Sequence, residues 1–149
     1  MRTKFLNWLE KHGRLRVIYD RRNDEPYLIR YYLLFRDRPR WFPFNIVLHK
    51  ICKSDIPVLH DHPWGYATII LKGGYMEHIP SDGCWYASTQ KRWRQPGHIS
   101  FHKATALHWL EISNGNPCWT LFFMGKRCRD WGFLKNGKWI ESEKFLAQQ

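Results

Sequence analysis

Short apolar stretches alternate along the chain with polar, turn-rich breaks, and this rhythm predicts a β-protein. Residues 27–35 are aromatic and aliphatic at both parities, the pattern of a strand covered on both faces. Residues 44–52 resume the β pattern and stop at Ser54, Asp55 and Pro57. Further strand-like runs follow at 66–71, 75–78, 85–94, 99–101, 107–112 and 119–124. Between them stand Gly73 and Gly74, the stretch 80–83, Pro96 and Gly97, and the polar loop 113–117. Near the start, 14–19 reads as a strand, 20–26 as a polar turn and 36–43 as a loop. Only the ends depart from this pattern. Residues 4–12 put Phe5, Trp8 and Leu9 on one helical face with Gly13 placed to close it, and 141–147 suit a terminal helix. So many short strands divided by turn residues predict an all-β fold, an antiparallel barrel or jelly roll with short terminal helices, in one domain over 1–149.

Composition sharpens this picture in two ways. Nine Trp, seven Tyr and nine Phe are spread over the β-like segments, where a twisted sheet uses them well. The formal net charge of +11 is carried by dispersed Lys and Arg, a surface that attracts anions such as nucleic acid or a phosphorylated small molecule. No basic recognition-helix pattern accompanies it, and Trp93 between Arg92 and Arg94 reads first as an exposed barrel strand. Cys52, Cys84, Cys118 and Cys128 show no Cys-x-x-Cys spacing, which suggests reduced thiols and a cytoplasmic location. Residues 1–13 contain Glu10 and lack a continuous apolar run, so no signal peptide is expected, and no membrane span is expected elsewhere.

The candidate chemistry lies in 59–74. His60 and His62 are two residues apart, so on a strand both imidazoles leave the same face. His108, in the run 106–112, is the third candidate ligand. Three imidazoles favour Fe(II), Zn(II), Ni(II) or Cu(II) over Mg(II), and three protein ligands leave positions open for catalysis. Asp61 should point away from such an ion as a supporting or turn residue. Glu77 shares a strand face with Tyr75, and two readings stand: a fourth ligand or general base, or a solvent-facing carboxylate. His78 has the opposite parity, His49 reads as a core-edge or surface residue, and His98 and His102 are reserve candidates. Trp64, Tyr66, Tyr75 and Trp109 are candidates to line a pocket.

His60, His62, Tyr66 and Gly73, followed by Pro96, Gly97 and His108, resemble the two motifs of the cupin superfamily over 59–112. Tyr66 stands where many metal-binding cupins have glutamate, and His98 where an acidic residue is frequent. The Asp61-His62-Pro63-Trp64 turn, the segment around Gly73 to Glu77 and the terminal Asp130-Trp131-Gly132-Phe133 also look like small cupin-like proteins from bacteria and their phages. The resemblance implies a double-stranded β-helix and a barrel that pairs into a homodimer through an aromatic sheet face. The three-histidine arrangement is similar to that of thiol dioxygenases, which implies Fe(II) as the first choice of metal and Tyr66 as a catalytic residue that orients oxygen. Three functions are expected. The first is a metal-binding non-haem iron oxygenase or dioxygenase for a small polar substrate. The second is a metal-free binding or isomerase module for a sugar nucleotide or other anion. The third is an accessory protein with a nucleic-acid-binding basic surface.

Overall fold

A computed structural model describes residues 3–81, 84–113 and 115–149, with the side chains of 84–87 excepted. The expected turn over 80–83 therefore falls partly outside the described residues, at Asp82 and Gly83. Helix α1 (Lys4–Lys11) begins where the Thr3 hydroxyl accepts a hydrogen bond from the Leu6 amide, and Gly13 turns the chain away with φ +67°. Of its expected apolar face only Leu9 is buried; Phe5 and Trp8 remain exposed.

Strands β1 (Leu15–Tyr19), β2 (Pro26–Tyr32), β3 (Asn45–Ile51), β4 (Tyr66–Lys72), β5 (Tyr75–Ser81), β6 (Cys84–Arg94), β7 (Ile99–His102), β8 (Trp109–Glu111) and β9 (Cys118–Met124) build two antiparallel sheets. One has the order β1-β2-β3-β9-β4-β7, the other β6-β5-β8. The predicted strand at 27–35 ends at Tyr32 because a side chain takes over its backbone: Asn45 accepts from the Phe35 amide and donates to the Phe35 carbonyl. Strands β10 (Gly132–Lys135) and β11 (Lys138–Glu141) form a separate hairpin, followed by α2 (Ser142–Leu146). Its turn is Asn136-Gly137, both with positive φ, the connection that suits a two-residue hairpin and that the sequence reading did not single out.

Strands β3 and β9 alternate strictly between buried and half-buried residues, so one face of the large sheet lines the interior. Register stacks that face in layers. Asn45, Met124, Tyr66 and His102 lie side by side, then Val47, Phe122, Thr68 and Ser100, then Arg30, His49, Thr120 and Ile70. Ile51, Ile70 and Cys118 from the large sheet pack with Tyr75 of β5 and with Ile112, which joins the two sheets through one apolar cluster. Cys52, Cys118 and Cys128 are free thiols. Among the described residues no helix is long and apolar enough to cross a membrane.

His49 corrects the reading of a core-edge or surface residue. It is inside the barrel, buried, with its ring stacked 4.6 Å from Phe122. Strict alternation along β3 carries it there with Asn45, Val47 and Ile51. Burial first, and then the charge of Arg30, push its pKa well below the ordinary 6.5. As pH falls through that ordinary value the unfolded chain takes up a proton that the folded ring refuses, so stability is lost on the acid side. His49→Phe keeps the stack on Phe122 and removes this proton. Its denaturation free energy is expected to fall less steeply below pH 6.5, by up to about 1.4 kcal/mol per pH unit. An unchanged slope between pH 7 and 5 would contradict this placement.

Candidate metal centre

The three candidate histidines are positioned by backbone before their side chains meet. The His60 amide donates to the His108 carbonyl at 3.0 Å and the His108 amide returns the bond at 3.1 Å. His60 also bridges to Phe133, and the His62 amide donates to Ala104. The segment before β4 is thus held between the approach to β8 and the C-terminal hairpin. Ring centroids of His60, His62 and His108 stand 5.1–5.2 Å apart pairwise, a nearly equilateral triangle. One ring nitrogen from each lies within 4.8 Å of the others.

The chemistry of this donor set fits a divalent transition metal. His60 and His108 are buried and His62 nearly so. Burial, opposed for His60 by the nearby Asp55 carboxylate, drives the pKa of His60 down to about 4. Burial and the neighbouring His108 and His60 push His62 well below its usual value. Both rings are neutral at pH 7 and offer lone pairs without proton competition. His62 Nε2 and His108 Nε2 are 2.9 Å apart, so a single N–H can hold the pair together when no ion does.

Glu77 is 1% exposed, which removes the solvent-facing alternative. Its Oε1 accepts from His108 Nδ1 at 2.8 Å and its Oε2 from Arg94 Nε at 2.7 Å. Burial alone would raise its pKa; the bonds from His108 and Arg94 outweigh that and hold it down at about 2. With Nδ1–H committed to a carboxylate, His108 presents Nε2 as its free lone pair, toward His62 and Tyr66. The Tyr66 hydroxyl lies 3.2 Å from that nitrogen, and its ring is sandwiched between His102 at 4.8 Å and Phe122 at 5.0 Å. Burial and the charge of Glu77 push the Tyr66 phenol well above its ordinary pKa, so it remains an O–H donor.

The other sequence candidates divide clearly. His102, opposite Tyr66 in register, joins the surroundings of the site, with Nε2 4.0 Å from Glu77 Oε1. His78 instead pairs with Glu111 at 2.7 Å and stacks on Trp109 at 3.5 Å, which takes both away from the triad. His98 is not part of the three-nitrogen group. Tyr75 packs in the apolar cluster, whereas Trp64 packs beside Tyr66. Asp61 points away from the triad and accepts from the Gly132 amide, Trp139 Nε1 and Arg129, clamping the C-terminal hairpin beneath His60. Two residues were not anticipated. Asp55 accepts from Tyr27 and from the Leu110 amide and lies 3.9 Å from His60 Nε2. Arg94 reaches Glu77 only because β6 pairs with β5. Neither has a local sequence signal, since both placements depend on long-range pairing.

No family model matches the sequence, and no curated protein matches it. Solved structures match its fold. A cupin-2 domain from Rhodospirillum rubrum is similar with a TM-score of 0.61 at 10% identity, over 91% of this chain and 81% of that one. The polyketide cyclase RemF from Streptomyces resistomycificus follows at TM-score 0.58 and 15% identity, over 81% and 79% of the two chains. FeII HppE matches at TM-score 0.55 and 11% identity, over 75% of this chain and 57% of its own length. At such identities the likeness speaks for the fold alone. The chain therefore has the cupin-type jelly-roll fold, and its interior holds a three-histidine cluster suited to a divalent metal.

Proposed function

We propose that the protein is a metal-dependent cupin enzyme, a non-haem iron oxygenase or dioxygenase that acts on a small polar substrate. The observation that carries this reading is the convergence of His60, His62 and His108, with Glu77 fixing the His108 ring so that its Nε2 faces the other two. Fe(II) bound there would supply a redox-active Lewis acid with coordination positions left open for substrate and oxygen. Around it, His60, His62 and His108 are the ligands and Glu77 is a positioning residue that acts through His108. Tyr66, protonated and 3.2 Å from His108 Nε2, is the catalytic donor: its hydroxyl can hold a hydrogen bond to an oxygen atom beside the ligands. The aromatic wall of Tyr66, Phe122 and Trp64 limits water on that side.

Oxygen uptake by Fe(II)-loaded protein in the presence of small polar acids and alcohols tests the assignment. Substrate-dependent uptake is expected, lost in His108→Ala and reduced about 100- to 1,000-fold in Tyr66→Phe, the range for removing one hydrogen-bond donor from a reaction centre. Turnover that continues undiminished under argon with iron bound would overturn the oxygenase reading while leaving the metal site intact.

A further inference from the structure

Gly73 and Gly74 join β4 to β5 at the opposite end of β4 from the histidines: Tyr66 begins that strand and Lys72 ends it, about 20 Å apart in an extended chain. Both glycines have positive φ, and a side chain at either would collide with its surroundings. A Cβ on Gly73 would lie 2.7 Å from the Pro117 carbonyl oxygen, and one on Gly74 would lie 2.7 Å from the Trp93 ring. The absent side chains let the β8–β9 connection and the Trp93 indole close on the turn. There they leave a cleft of about 420 Å³, walled by Lys72, Gly73, Gly74, Trp93, Pro117 and Trp119, with Ser113 and Asn116 as its polar lining. That volume is within the range of about 300–1,000 Å³ typical of small-ligand sites.

The two indoles of the cleft are not equivalent. Trp119 is already engaged, with Tyr31 stacked 6.1 Å away and Lys50 Nζ 5.6 Å from the ring centre. Trp93 leans on Gly74 and is still 53% exposed, and no ring stacks on it among the described residues. Arg92 and Arg94 leave the other face of β6, Arg94 to pair with Glu77, so the charge beside Trp93 comes from lysines. Lys91 shares the Trp93 face, Lys72 lines the cleft and Lys50 lies over Trp119. None of the three meets a carboxylate among the described residues. Glu111, in the same row as Trp93 across β5, is engaged by His78 at 2.7 Å.

We propose that this cleft is a second site, separate from the histidine cluster, that holds one nucleotide unit of a single-stranded nucleic acid. The base stacks on Trp93, the lysines take the phosphates on either side of it, and Ser113 and Asn116 offer hydrogen bonds to the base or the sugar. A duplex keeps its bases stacked on one another and has no free face to give the indole. A neutral sugar would also lie on an indole, but it leaves the three lysines without a counter-charge.

The test is fluorescence anisotropy of a fluorescein-labelled deoxythymidine decamer titrated with the protein at several salt concentrations. The same decamer annealed to its complement, thymidine monophosphate and heparin serve as unlabelled competitors. The single strand is expected to bind, with an affinity that falls as salt rises. Trp93→Ala should weaken it about 5- to 150-fold, the range for losing one stacked base, and Trp93→Phe should weaken it less. Lys72→Ala should make the slope of log affinity against log salt shallower by about 0.7, the share of one phosphate contact on a single strand. Both side chains are exposed, so each variant should keep the wild-type melting temperature. His108→Ala should bind the strand as the wild type does, which keeps this result apart from the metal reading. No binding at low salt, or undiminished binding by Trp93→Ala, would overturn the site. Duplex or thymidine monophosphate competing as well as the single strand would overturn the strand assignment, and heparin competing equally well would overturn the role of base stacking.

Discussion

Glu77→Ala is expected to cost about 3–5 kcal/mol of stability and to weaken metal binding about 10- to 100-fold. The carboxylate is 1% exposed and satisfies two partners at once, His108 Nδ1 and Arg94 Nε. Its loss leaves the Arg94 guanidinium with no counter-charge and frees the His108 ring to turn or to change tautomer. The two effects separate in Glu77→Gln, which keeps an acceptor for His108 but removes the charge facing Arg94. That variant should retain more metal affinity than Glu77→Ala while still being destabilised. Thermal denaturation and competitive metal titration read both quantities, and wild-type values for Glu77→Ala would show that the carboxylate neither supports the fold nor orients the ligand.

Metal added to wild-type protein at one hundred times its dissociation constant is expected to raise stability by about 2.7 kcal/mol, and His108→Ala should gain nothing. The backbone bridge between His60 and His108 is independent of the side chain, so the variant keeps the local fold and loses only the donor. His12→Ala, at an exposed position after α1, is the control that should retain the full gain. Equal stabilisation of His108→Ala and wild type would remove His108 from the ligand set.

The sheet architecture was legible because short, largely apolar runs such as β3, β4 and β9 recur between breaks that carry glycine and proline, whereas their alternation of burial emerges only from the pairing of strands. His60 and His62 were legible from their spacing, and His108 from its position in a second strand-like run. Strand parity alone could not decide on which side of β5 Glu77 lies; register against β8 and β6 decided it, bringing Leu110 and Arg92 opposite and burying the carboxylate. His49 was misread because one histidine in an apolar strand resembles an edge residue, whereas its neighbours on both sides, Arg30 and Thr120, make a polar layer inside the barrel. Asp55 and Arg94 acquire meaning only when distant segments meet. The β10–β11 hairpin differs from these, because its signal, Asn136-Gly137, is local.

The most direct measurement is the metal content of native protein purified without chelator under low oxygen, beside a variant with His60, His62 and His108 all changed to Ala. Near-stoichiometric iron in the native protein and none in the folded variant is the predicted result. Native protein that stays metal-free after iron, zinc, nickel and copper are offered in turn, or a folded variant that keeps its metal, would contradict the three-histidine site on which the enzyme reading stands.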